Sequence, residues 1–462
     1  MKKLFSIVSL LIIVATTACK KSDNGPIAPP DKPGDTTSVS GDIRGVISAD
    51  QHWTKDKTYR LRGYVYVTNG ATLTIEAGTK IVSNNDSAGV LVIYRGAKII
   101  AQGTADEPVV FTSAETNPQP GDLGGLVLVG QARGNGNHSV LEGGVDPQFS
   151  VFGGTNDADN SGVLKYVRIE YAGKAVNPGD EINGLSLYAV GSGTTIDYVQ
   201  VVRGLDDAFE FFGGTVNCKH LIAYNCADDD FDMDDGYRGM IQYAISVKDP
   251  LFTDNKGTSG DISNNFEVDN VNPANGFLWT RSPITFPVLS NFTAIGPNNA
   301  PGTSADFGYG MRWRRGSKFI LANSIVIGGQ KAGLDLDDDS TASYYAEDTS
   351  RFYNSFLNAY GNPFQVSKLV GTPAVLDSAG LATKVTTHDI SVYYSNAADI
   401  MLTDPFNNAG PLLQPKAGSP ALSTAGKFDF GLLTETFFDH TSYIGALDGT
   451  NDWTSGWAVW SK

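Results

Sequence analysis

The chain has 462 residues, 50 acidic against 34 basic side chains, and a formal charge of −16. That balance excludes nucleic acid as a partner, and it excludes binding to anionic lipid through a basic patch. With 52 glycines, many short β-rich runs and no helical period of apolar residues in its body, the chain reads as all-β.

The first stretch is "MKKLFSIVSLLIIVATTAC". Two lysines precede an apolar run too short for a membrane span, so residues 1–18 read as a secretory signal. The end, "TTAC", resembles a bacterial lipobox with Thr16 in the place of the usual leucine. Cys19 is then the lipid attachment residue, carrying a palmitate-type acyl anchor. The following "KKSDN" is similar to the signals that send lipoproteins of Bacteroidota to the cell surface. Residues 19–44 are rich in Pro, Gly, Ser and Asp and read as a flexible tether. The expected location is the outer membrane, facing the cell exterior. Short matches at Asp35, Asp86, Asp339 and Asp377 resemble the O-glycosylation sequon of the same phylum and agree with export.

The body, residues 45–462, is built of repeats. "NGATLTIEAGT" aligns with "RGAKIIAQGT", placing Gly70 and Gly96 26 residues apart. "AFEFFGG" from Ala208 aligns with "DFDMDDG" from Asp230 at an offset of 22. "GLSLYA" (Gly184), "NFEVDN" (Asn265), "GMRWRR" (Gly310) and "GLDLDD" (Gly333) share that frame. A second frame begins at Tyr166, Tyr198, His220, Tyr243, Asn291, Asn323 and Asn354. Stacked asparagines at a repeating turn satisfy backbone groups along a solenoid. A period of roughly 22 to 26 with short strands predicts the coils of a right-handed parallel β-helix. The longer gap from Tyr243 to Asn291 reads as a skipped coil or an inserted loop. Insertions are expected near 114–160, 248–264, 271–287 and 337–350. Trp453, Trp457 and Trp460 are expected in a C-terminal cap, about 405–462, over the open edge of the last coil.

Alternate residues of a strand face opposite sides. Leu185, Phe209, Phe211, Phe231, Met233, Phe266, Trp313 and Leu334 should fill the coil. Ser186, Glu210, Asp232, Glu267, Arg312 and Asp335 should face outward, on neighbouring coils about 4.8 Å apart. Asp207, Glu210, Asp229, Asp232 and Asp234 then form one two-coil surface. Its oxygens suit Ca2+, which takes six to eight hard ligands, but their spacing matches neither the EF-hand loop nor the nonapeptide calcium repeat. The alternative is a hydrated acidic stripe that keeps the surface soluble.

Paired carboxylates also serve glycoside hydrolases, with a base or clamp from Lys219, Arg238, Arg312, Arg314 or Arg315. Trp279, Arg238, Arg312 and Arg314 are candidate ligand-binding residues in or beside the loops. Cys218 aligns with Ile196 and Ile241, a buried position. The strand between Cys218 and Cys226 holds them over about 20 Å apart, too far for a disulfide.

"GATLTIEAGTKI", "GLVLVGQA" and the block from "DDAFEFFGG" through "GMIQYAI" carry a resemblance, as do "AGSPAL" and "YIGALDGTNDWTSGWAVW". Together they resemble a family of Bacteroidota surface proteins with pectin-lyase-like β-helix bodies. The resemblance implies a fold and a location rather than an activity. Pectin-lyase-like folds host polysaccharide lyases, which use calcium and an Arg or Lys base, yet the "GHG" and "RIK" motifs of the polygalacturonase branch are missing. The expected function is a non-catalytic binding or adhesion module for glycan or an outer-membrane protein. The alternatives are a carbohydrate-active enzyme with a calcium-supported cleft, and a structural surface protein.

Overall fold

The computed structural model describes residues 41–177, 180–254, 262–371 and 374–461. Cys19, residues 19–40 of the expected tether and the sequon at Asp35 lie outside the described residues; residues 41–44, read as tether, instead open the strand Gly41–Ile47, which pairs in parallel with Thr58–Val67. No helix among the described residues is long and apolar enough to cross a membrane.

The strands wind into a right-handed parallel β-helix with three short strands per typical coil. On the first face, Leu185, Phe209, Phe231, Phe266, Met311, Leu334 and Phe364 are in direct register. All point inward, as alternation dictates, and the aromatic members stack: Phe209 on Phe231 at 5.3 Å and Phe231 on Phe266 at 5.6 Å. Trp313 is fully buried and stacks on Phe319 at 3.8 Å. The second face carries Ile196, Cys218, Ile241 and Leu289 in register, so Cys218 holds its expected place. Both described cysteines are free and buried.

Between the second and third faces the chain bends through one left-handed residue per coil. Tyr166, Tyr198, His220, Tyr243, Asn291, Asn323 and Asn354 occupy it, with φ from 47° to 63°. Asn adopts this conformation at little cost; a ring costs about 1–2 kcal/mol. The rings recover that cost by stacking, Tyr166 on Tyr198 at 4.3 Å and Tyr198 on His220 at 4.1 Å. The asparagines bond in a chain instead: Asn354 Nδ2 donates to Asn323 Oδ1 at 2.8 Å, and Asn323 Nδ2 to Ser290 Oγ at 3.0 Å. Tyr243 and Asn291 sit on adjacent coils, since Met240–Val247 pairs with Val288–Ile295. Their long separation is inserted loop, not a skipped coil.

Two covers depart from expectation. The segment 339–346, read as loop, forms the helix Asp339–Ala346, whose first turn is capped by Asp338. The tryptophans do not close the last coil. Trp457 packs edge-on against Tyr166 and Tyr198, and Trp453 against His220, on coils far from the C-terminal end. Backbone bonds fix this course: Arg168 Nη1 donates to the Trp457 carbonyl at 2.9 Å, and Gln200 exchanges two bonds with Val459. The C-terminal segment is therefore a strap along the flank, which buries the ring stack and Ile222, Ile245 and Ile295. The last coil is instead covered by Ser378–Thr383 and the turn after it, through buried Leu381 and Val385.

Candidate functional site

The outward column of the first face runs Ser186, Glu210, Asp232, Glu267, Arg312, Asp335 and Gln365, each in register with the next. Two residues on, Phe212 and Asp234 are in register. Before the strands, Asp229 donates its backbone N–H to Asp207 Oδ1 at 2.8 Å. The five acids read from the sequence thus belong to one surface.

That surface is not a hydrated stripe. Glu210 is 8% exposed, Asp207 7% and Asp229 4%; Asp232 alone of the five keeps more exposure. Loops cover it. Asn183 Nδ2 donates to Glu210 Oε2, the Asn264 backbone N–H to Asp229 Oδ1, and Asn264 Nδ2 to Glu267 Oε2 at 3.2 Å. A wall stands beside it where Asn135 Nδ2 reaches the Asn270 carbonyl at 2.7 Å and Arg281 reaches the Asn135 carbonyl. Sequence gives the length of an insertion but not the side on which it lies, so this burial was not foreseeable from composition.

Oxygen donors converge there. One carboxylate oxygen from each of Asp207, Glu210 and Asp232 lies within 4.8 Å of the others, and the same holds for Asp229, Asp232 and Glu267. Asp232 belongs to both sets, and its Oδ1 is buried with no hydrogen-bond partner among the described residues. Asp234 sits instead with His138 and Asp235. Burial first, then neighbouring carboxylates, pushes Asp207, Glu210, Asp232 and Asp234 well above the usual carboxylate range. Such a cluster is stable only if it holds protons or a cation. The donors are all hard oxygens on two or three adjacent coils, with an orphaned oxygen among them, which fits calcium.

The next coils reverse the charge. Arg312 spans Glu267 Oε2 at 3.1 Å and Asp337 Oδ2 at 2.9 Å. Arg314 bonds Asp269 Oδ1 at 2.6 Å and also Glu267, while Arg315 pairs with Asp269. Arg312 and Arg314 therefore adjoin the acids as expected, but as buried ion-pair members. Arg238 does not join them. It donates to the Gly236 carbonyl at 2.7 Å and lies 3.5 Å from Asp157. Lys219 pairs with Asp439 at 2.7 Å, on a different face. Trp279 is half-buried, and its carbonyl accepts from Asn270 Nδ2 at 2.8 Å. That contact anchors the loop; no ring partner of Trp279 is seen among the described residues. Two open depressions, of about 540 Å³ beside Arg203 and Phe252 and about 470 Å³ beside Tyr360 and Phe406, lie away from the acidic column.

Sequence reasoning placed Glu267 and Asp335 in the column but not in the candidate site. It passed over His138 and Asp235, whose contact joins residues 97 apart. No local pattern marks that pair.

A family model described as a pectate-lyase like beta helix domain matches residues 45–391. The chain belongs to that family. Comparison with curated proteins and with solved structures gave no match. Membership agrees with the coil register and extends over the whole acidic column, but a fold shared by lyases, hydrolases and binding proteins does not specify chemistry.

Proposed function

We propose that this protein is an exported lipoprotein of a Bacteroidota cell surface, anchored through Cys19, whose β-helix is a non-catalytic binding module. Its acidic column, Asp207, Glu210, Asp229, Asp232 and Glu267, holds calcium, and through that ion the face binds an acidic glycan or an outer-membrane partner. The observation that carries this reading is the two overlapping sets of oxygen donors within 4.8 Å that share Asp232. A bound Ca2+ neutralises the buried carboxylates and offers its remaining positions to carboxylate or hydroxyl oxygens of a ligand. An acidic glycan suits it best, because without the ion this face repels uronates.

The arginines favour binding over catalysis. A lyase base must be free to take a proton from carbon, whereas Arg312, Arg314 and Arg315 are all engaged by carboxylates. Their position in the same columns as the acids is what the enzyme reading has in its favour. Affinity electrophoresis through polygalacturonate or alginate gels separates the two. Retardation in calcium is expected, lost in EDTA and in Asp232→Asn, with no unsaturated or reducing-end product. Product release abolished by Asp232→Asn would make the protein an enzyme, and unretarded migration in both gels would remove glycan as ligand. Palmitate labelling of cells, expected to be lost in Cys19→Ser, tests the anchor. Protease treatment of intact cells tests display on the outer surface.

A further inference from the structure

A second donor group joins an inserted loop to the coil. His138 lies in the insertion that covers the N-terminal coils, while Asp234 ends the strand Phe231–Asp234 and Asp235 begins its turn. One donor atom from each of the three lies within 4.8 Å of the others. His138 Nδ1 stands 3.0 Å from Asp235 Oδ1. Two ligands each about 2.0–2.1 Å from a tetrahedral zinc ion stand about 3.3 Å apart, so this pair is already close to ligand spacing. The other ring nitrogen, Nε2, is 3.9 Å from Glu142 Oε1. A metal-bound imidazole commonly has a carboxylate in that position, orienting the ring through its second N–H. Asp235 is oriented by two further bonds: Oδ1 also accepts from Asn137 Nδ2 at 2.9 Å, and Oδ2 accepts from the His138 backbone N–H at 3.3 Å.

Asp234 supplies an independent observation. It is 9% exposed, and its Oδ1 is buried with no hydrogen-bond partner among the described residues. Two carboxyl groups, Asp234 and Asp235, here meet one imidazole, and Arg315 nearby is committed to Asp269. A divalent ion with a neutral imidazole balances both carboxylates. One nitrogen with carboxylate oxygens selects a borderline cation over calcium, whose ligands are oxygens.

We propose that His138, Asp234 and Asp235 form a site for a divalent cation of the zinc class, which fastens the insertion to the edge of the acidic column. The site differs from the calcium set in its imidazole, and it stands whether or not the face binds glycan.

The test titrates Zn2+ alone into untagged protein stripped with EDTA and re-equilibrated in calcium. Calorimetry should show one saturable zinc per chain, and the melting temperature should rise. Co2+ in place of zinc should give visible ligand-field absorption. His138→Gln should abolish uptake. His220→Gln, which alters a ring stacked between Tyr198 and Tyr243, should not. Asp234→Asn leaves the His138–Asp235 pair in place and should weaken zinc at least about tenfold. Absence of saturable uptake, or uptake unchanged in His138→Gln, overturns the proposal. If His138→Gln fails to fold, unchanged affinity in Asp234→Asn overturns it instead.

Discussion

Replacing Asp232 by Asn should stabilise the protein without calcium and leave it less stable than the wild type with calcium. Asp232 shares one set of donor oxygens within 4.8 Å with Asp207 and Glu210 and a second with Asp229 and Glu267. Two unit charges at that distance repel by about 3.5 kcal/mol at an effective dielectric constant near 20. The raised carboxyl groups already shed part of that repulsion by taking up protons. The neutral amide should therefore gain about 1–3 kcal/mol in EDTA, less than the full pair repulsion. In calcium at one thousand times its dissociation constant, the wild type gains about 4.1 kcal/mol. The variant, missing the donor common to both sets, forgoes most of that gain. Melting of both proteins in EDTA and in saturating CaCl2 gives four midpoints, and their order should invert between the two conditions. An equal destabilisation of Asp232→Asn in both conditions would refute the reasoning: Asp232 would then be a structural hydrogen-bonding residue, not part of a frustrated cation site.

Burial, then the charge of Asp337, pushes the Asp335 carboxyl up to about 7. Its folded pKa stands above the unfolded value of 3.8, so its contribution is fully present below about pH 4 and lost as pH rises through about 7. The melting temperature in EDTA should accordingly fall from pH 6 to pH 8, and Asp335→Asn should flatten that slope. Arg312→Met strips the cation from buried Glu267 and Asp337 and should cost about 3–5 kcal/mol in urea denaturation. Trp457→Ala should cost about 3–5 kcal/mol. It should also speed amide exchange in the strap and in Tyr166 and Tyr198, leaving the coil under Leu381 unchanged; faster exchange at that last coil instead would restore the capping role.

The register of the coil could be read from residues because it rests on a local rule. Phe209 and Phe231, or Ile196 and Cys218, occupy equivalent points of a short repeat, and alternation decides which side each faces. Cys218 and Cys226 stay apart for the same reason. The state of the acidic face rests on non-local contacts. Asn264 and Asn183 reach the carboxylates from loops whose composition, rich in Gly and Asn, fits either a solvated excursion or a lid. The tryptophans misled because an aromatic cluster signals something to be covered without naming which coil. The answer lay in the ring stack from Tyr166 to Tyr243, a covering site visible once the left-handed bend aligns those rings on one flank.

Calorimetric titration of Ca2+ into EDTA-stripped protein at pH 7 tests the central claim most directly. The acidic column predicts a saturable isotherm, abolished in Asp232→Asn and retained in His138→Gln. A flat isotherm for the wild-type protein would contradict a cation site on the column and leave its carboxylates neutralised by protons alone.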